Sequence, residues 1–258
     1  MKIQLLASTF DPQGHTRPEQ RLTCYVVDDC VAIDAGSITL AITDAQRDRV
    51  RDIVVTHPHM DHVATLPIFI DDLFSLLTAP VRIHATEEVI GLLRRDVFNG
   101  TVYPRFDELQ NAHGHVMEYV PFQTGRAFSV AHLTLAAVRV NHIVPTVGLT
   151  VTDGAATVAF SSDTAATEEF WRVVNSLPRL DALFVESSFP NAMRSLADVS
   201  GHLTPAGLAQ ELSKLSRTPP RVFAVHIKPT YRETVVAELD ALNLPNLRVM
   251  EPGRVYEW

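Results

Sequence analysis

The residues able to do chemistry are concentrated in Thr56-His57-Pro58-His59-Met60-Asp61-His62. Three histidines and a carboxylate fall within six positions, directly after the apolar, β-branched run Asp52–Thr56. Such groups are costly to bury without partners, and the preceding run reads as a buried strand that carries them into the fold. In an extended turn, side chains two apart converge, so His57 and His59 can share one metal ion. Asp61 and His62, on the next turn, can face a second. Imidazole nitrogen and carboxylate oxygen suit zinc, and also manganese or iron. A pair of ions needs more ligands than one loop supplies. His142, Asp163 and His226 each sit just past a predicted strand, where side chains gather at one edge of a sheet. The bland alternative, a solvated histidine-rich loop, accounts for neither the strand before it nor these distant partners. His15, His84, His113, His115 and His132 lack such a context and are expected to be surface or core histidines.

The elements that must position these groups alternate along the chain. Strands are expected at Lys2–Ala7, Leu22–Val27, Val31–Asp34, Asp52–Thr56 and Val81–His84, with helices over Ile42–Arg51, Val63–Leu77 and Glu87–Val97. In the second half, Leu133–Val140 leads to His142, and Val147–Thr152 and Ala156–Ser161 flank the hairpin signal Asp153-Gly154. A helix over Ala166–Asn175, a strand Ala182–Val185 and a helix Pro205–Leu215 follow. Strand Arg221–Val225 ends at His226, Pro229 and Thr230 open the last major helix, and Leu247–Met250 reads as the final strand. Strands mixed with hairpins and helices suggest two packed sheets with helices outside, an αββα sandwich. No linker or repeat divides residues 1–258, which are expected to form one domain.

Composition narrows the partners. Acidic residues exceed basic ones by 30 to 22, and only Lys2, Lys214 and Lys228 are lysines. No segment gathers the arginines into a stripe able to grip a long phosphate backbone, so no long nucleic acid is expected as partner. A small anionic phosphodiester remains compatible, because a metal cluster supplies positive charge locally. No apolar run is long enough for a membrane span. The N-terminal stretch lacks a full apolar signal region and a cleavage site, which points to the cytoplasm. Cys24 and Cys30 match neither a zinc knuckle nor a redox pair and read as small buried hydrophobes. A homodimer is compatible with the sequence.

Taken together, Ile33-Asp34-Ala35-Gly36, the HxHxDH loop and the later His142, Asp163 and His226 resemble the ordered motifs of the metallo-β-lactamase superfamily. The resemblance spans nearly the whole chain. It implies that His57, His59 and His142 bind one ion, that Asp61, His62 and His226 bind another, and that Asp163 bridges them. Asp34 would brace the histidine loop from behind. The segments Phe184–Pro190, Ser200–Pro205 and Val225–Pro229 are similar to class II cyclic-nucleotide phosphodiesterases, and tRNA 3′-processing endonucleases carry a related Glu and His-x-Thr. In both branches the extra histidine is thought to serve the leaving oxygen, which assigns that role to His202 with Glu186 as its orienting partner. Met60 stands where class II enzymes carry Leu, and Thr65 where the motif expects Gly or Ser, a change expected to narrow the room beside the metals. The competing role for His202 is that of a loop residue before the helix start Thr204-Pro205.

Two divalent ions bring four positive charges, of which Asp61 and Asp163 offset two, so the site would attract a phosphodiester anion. The expected reaction is hydrolysis of a small phosphodiester, a 3′,5′-cyclic nucleotide above all, with Asp61, His202 and Glu186 as catalytic residues. A tRNA 3′-end nuclease is the nearest alternative, but it should present a basic arm that the sequence does not offer. A sensor of the same fold without turnover is the third reading, and such proteins usually lose a ligand position, whereas all seven are filled here.

Overall fold

The computed structural model describes residues 1–217 and 221–258. Two mixed seven-stranded sheets face each other. In spatial order the first holds Val255–Glu257, Lys2–Leu5, Tyr25–Val27, Val31–Ile33, Asp52–Val54, Val81–Ala85 and Met117–Pro121. The second holds Leu247–Val249, Arg221–Val225, Ala182–Glu186, Thr157–Phe160, Val147–Thr152, Leu133–Arg139 and Ala127–Val130.

Side-chain alternation along the strands divides the interior into three apolar layers. Val31, Ile33 and Val54 pack between the sheets against Leu149, Phe160 and Phe184. Ala32 and Ile53, one residue out of phase, turn instead to the helices covering the first sheet, among Leu66, Phe69 and Ile90. Leu183 and Val185 turn the other way, to Phe170, Trp171, Leu208 and Val235. The result is the expected order of helix, sheet, sheet, helix, the αββα sandwich.

Several elements differ from expectation for local reasons. The helix beginning near Ile42 starts at Asp44, because Thr43 and Gln46 form a reciprocal capping box. The stretch Val63–Leu77 is two helices, Met60–Val63 and Leu66–Leu73, broken at Thr65. The helix beginning at Glu87 passes into a π-turn over Leu93–Val97. Pro229 opens one 3₁₀ turn before helix Arg232–Ala241. The expected final strand shortens to Leu247–Val249, and strands Met117–Pro121, Ala127–Val130 and Val255–Glu257 add to those expected. Val255–Glu257 pairs antiparallel with Lys2–Leu5, bringing the two chain ends together. Among the described residues no helix is long and apolar enough to cross a membrane.

Candidate metal centre

Register places the distant residues. Strands Thr157–Phe160, Ala182–Glu186 and Arg221–Val225 run parallel, so the segments after them emerge at one edge. Leu133–Arg139 points the same way, being antiparallel to the strand that is itself antiparallel to Thr157–Phe160. Asp163, Glu186, His226 and His142 therefore arrive together. The histidine loop comes to this edge from the other sheet, and the sheets are joined there by the Val147 N–H donating to the Thr56 carbonyl at 3.2 Å.

The Asp34-Ala35-Gly36 turn holds the loop from behind. Asp34 accepts from the Thr56 N–H at 2.8 Å, and its other oxygen lies 2.7 Å from His62 Nδ1. The Ala35 N–H donates to the His62 carbonyl, and the Thr23 N–H donates to that of Asp61, both at 2.7 Å. A Cβ on Gly36 would stand 1.9 Å from the Asp61 carbonyl oxygen, so only glycine permits this approach. Asp34 itself has φ +58°, a left-handed conformation that a short polar side chain tolerates.

Two groups of ligand atoms result. His57, His59, His142 and Asp163 form one; Asp61, His62, Asp163 and His226 form the other; within each, all donor atoms lie within 4.8 Å. His59 Nδ1 is 3.2 Å from His142 Nε2, and His62 Nε2 is 3.3 Å from His226 Nε2. Asp163 Oδ2 stands 3.6, 3.4 and 3.3 Å from the Nε2 atoms of His57, His62 and His226. Asp61 Oδ2 is 3.2 Å from His226 Nε2. Ligands about 2.0–2.2 Å from one tetrahedral ion stand roughly 3.3–3.6 Å apart, so these spacings fit a divalent cation.

The proton inventory agrees. His142 Nδ1 faces the Gly201 carbonyl at 2.8 Å and must donate to it, and His62 Nδ1 donates to Asp34. The His142 Nε2 atom then presents its lone pair towards His59 Nδ1, an arrangement a cation relieves. His57 Nε2, fully buried, has no hydrogen-bond partner among the described residues. Burial, then the charge of neighbouring imidazoles, lowers the His57 pKa well below its ordinary value. Burial leads the lowering at His59 and His142 too. Burial opposes charge on Asp61 and Asp163, but His226 and His62 outweigh it and hold both carboxyls ionised. At His62 burial is outweighed by Asp163 and Asp34, and the pKa is raised.

The structure thus gathers all seven residues singled out as ligands, and it places His202 and Glu186 beside them. His202 Nδ1 lies 2.7 Å from Glu186 Oε1. Its ring centroid is 5.0 Å from that of His142 and 5.5 Å from that of His226. Burial disfavours the imidazolium, yet the Glu186 charge and hydrogen bond prevail, and the His202 pKa is raised. Helix capping falls to Thr204, whose hydroxyl accepts from the Gly207 N–H at 3.2 Å, so His202 is spare. Glu186, His202 and His226 also lie within 4.8 Å of one another. Glu186 is not an open ligand, however, because four donors already occupy it: the Thr164 and Leu203 N–H groups, the Ser188 hydroxyl and His202.

Thr65 departs from expectation: its hydroxyl donates to the Ala35 carbonyl and accepts from the Thr39 N–H, both at 3.2 Å, so its polar end is spent on the turn behind the loop. Met60 is 61% exposed beside the ligands. His84 is buried against Asp52, and His15 and His132 pair with Asp11 and Asp28. Cys24 and Cys30 are free thiols, the first buried and the second half-buried. Sequence reasoning assigned no role to Gly201, Lys228 or Ser188. A Cβ on Gly201 would stand 2.8 Å from His142 Nδ1, and Lys228 Nζ is 3.2 Å from Asp61 Oδ2. Their only sequence signal is membership of the Ser200–Pro205, Val225–Pro229 and Phe184–Pro190 segments respectively.

The beta-lactamase superfamily domain matches residues 31–227, and the chain belongs to that superfamily. It is similar in fold to the metallo-beta-lactamase fold protein YhfI from Bacillus subtilis, at 14% identity and TM-score 0.73, covering 100% of this chain and 98% of that one. It is also similar to yeast PDE1 (17% identity, TM-score 0.77, 98% of each chain). Human tRNase Z, short form, aligns at 18% identity and TM-score 0.67 over 100% of this chain and 99% of that one. No curated protein sequence matches the chain.

Proposed function

We propose that this protein is a two-metal phosphodiesterase acting on a small phosphodiester, foremost the opening of a 3′,5′-cyclic nucleotide to a nucleoside 5′-monophosphate. The observation that carries the reading is the Glu186–His202 pair. It is a buried imidazole, tied to a carboxylate at 2.7 Å, ring-to-ring with a histidine of each ligand group, and needed by neither. That is the place for a group that hands a proton to a departing oxygen.

His57, His59 and His142 would hold one divalent ion, Asp61, His62 and His226 the other, and Asp163 would span both. The all-nitrogen-and-oxygen donor set suits zinc, and admits manganese or iron. When bound, such ions lower the pKa of water to about 7 and offset charge on phosphoryl oxygens. Asp61 and Asp163 leave the site net positive, and Lys228, 3.2 Å from Asp61, adds a further cation where the anion would lie. His202 donates Nδ1–H to Glu186, which leaves Nε2 as its proton-carrying atom for the leaving alkoxide. Glu186 orients the ring and favours the imidazolium.

Likeness to yeast PDE1 and to human tRNase Z supports the phosphodiester class, and the net charge of −8 favours a small substrate over a long polyanion. The test is one preparation assayed against a panel of cyclic nucleotides and a precursor tRNA, with metal analysis on the same sample. Cyclic-nucleotide hydrolysis by a two-metal protein is expected. Efficient 3′-trailer cleavage without it would reverse the choice of substrate. Full metal occupancy with turnover of no phosphodiester would replace the enzyme by a sensor.

A further inference from the structure

We propose that Ser188 is a positioning residue that sets the imidazole of His226. One buried carboxylate, Glu186, then braces a metal ligand through Ser188 while holding the leaving-group acid His202 directly. This rests on the reading of His226 as a ligand.

Ser188 is fully buried, two residues past Glu186. Its Oγ lies 2.8 Å from Glu186 Oε2, 3.0 Å from His226 Nδ1, 3.0 Å from the His226 carbonyl oxygen and 3.3 Å from His202 Nδ1. A hydroxyl has one proton to give and two lone pairs to offer, and an ionised carboxylate only accepts. The shortest contact, to Glu186, therefore takes the serine proton. His202 Nδ1 gives its own proton to Glu186 Oε1 at 2.7 Å, well inside its distance from Ser188. The serine lone pair is left for His226 Nδ1–H.

That bond decides which nitrogen of His226 is free. With the proton on Nδ1, the lone pair sits on Nε2, the atom 3.2 Å from Asp61 Oδ2 and 3.3 Å from Asp163 Oδ2. The backbone offers the ring little help, since His226 has left its strand and has φ +57°. A ligand histidine normally hands its second N–H to an acceptor, and loss of that acceptor costs about 10- to 100-fold in metal affinity. Ser188 supplies the acceptor, and Glu186 polarises it.

Ser187 provides the control. It is equally buried on the same strand end, and its hydroxyl has no hydrogen-bond partner among the described residues. The experiment titrates zinc into the full chain against a chromophoric chelator, for the wild type, Ser188→Ala and Ser187→Ala, with melting of the metal-free proteins alongside. Ser188→Ala should weaken one of two zinc ions about 10- to 100-fold and leave the other nearly unchanged. Ser187→Ala should match the wild type. The Ser188→Ala loss should persist in a His202→Ala background, because the link to His226 bypasses His202. Wild-type affinities in Ser188→Ala, or equal losses in both serine variants, would overturn the proposal. So would loss of both ions together with a collapsed melting temperature of the metal-free Ser188→Ala protein. A wild type that takes up no zinc would instead overturn the metal-centre reading beneath it.

Discussion

Replacing His202 by Ala separates proton donation from metal binding. The imidazole contributes one charge-assisted hydrogen bond to Glu186, at 2.7 Å, a contact worth about 1.5–3 kcal/mol to stability. Glu186 would still accept from Thr164, Leu203 and Ser188, so its charge stays compensated and the fold should survive. None of the two ligand groups includes His202, so metal content should stay at the wild-type value. General acid catalysis is worth about 10² to 10⁴. His202 is only 7% exposed, so bulk water is poorly placed to replace it, and the loss should fall in the upper half, about 10³ to 10⁴ in kcat, or about 4–5.5 kcal/mol of barrier. That holds for a nucleoside leaving group, which departs as a basic alkoxide. A nitrophenyl phosphodiester, whose leaving group is stable as an anion, should lose less than about tenfold. The assay is kcat for both substrates with metal analysis on each preparation. Equal losses on the two substrates would refute proton donation, and loss of metal would make His202 a ligand.

Metal analysis of the reconstituted wild type should find about two ions per chain. Asp163→Ala, which removes the oxygen shared by both groups, should empty or disorder the centre and abolish turnover, and His59→Ala should strip the group built with His57 and His142. Gly36→Ala drives a Cβ to 1.9 Å from the Asp61 carbonyl oxygen; it should cost about 3 kcal/mol or more and lower metal content, and an unchanged melting temperature would contradict the clamp. Asp52 opens the strand that leads to the histidine loop, pairs with Arg82 and His84 instead of the ligands, and tests linkage. Burial raises its pKa, but His84 and Arg82 prevail and bring it from 3.8 to about 2. Its stabilising contribution is therefore complete above the unfolded value and is lost as pH falls through the folded one. Asp52→Asn should cost about 1–2 kcal/mol at pH 7, after screening at the partly exposed Arg82, and in urea melts the gap to wild type should begin to narrow below about pH 4 and close only as pH approaches about 2.

Much of this molecule is legible in short stretches. The β-branched run Asp52–Thr56 announces a buried strand, Asp153-Gly154 a hairpin, and Thr204-Pro205 a helix start, because each signal resides in neighbouring residues. The histidine loop is legible for the same reason: its donors are covalently close. Other features are hidden from any local window. The break at Thr65 follows from hydrogen bonds to Ala35 and Thr39, some thirty residues away. The edge strand Val255–Glu257 is short and half-exposed, and it exists because Lys2–Leu5 offers it an unpaired edge.

The sequence by itself determined which residue types were available to bind metal and carry a proton, and that strands would end beside them. Only the tertiary structure decided that they meet. His142, Asp163 and His226 reach the histidine loop across more than eighty residues of chain, and a slip of one residue in any of their strands would turn them to the opposite face. The same holds for the hydroxyl of Ser188. Its partners were visible in the sequence, but the direction of its single proton follows from distances set by the parallel register and by the loop hydrogen bonds of Ser188 to Leu203 and Lys228.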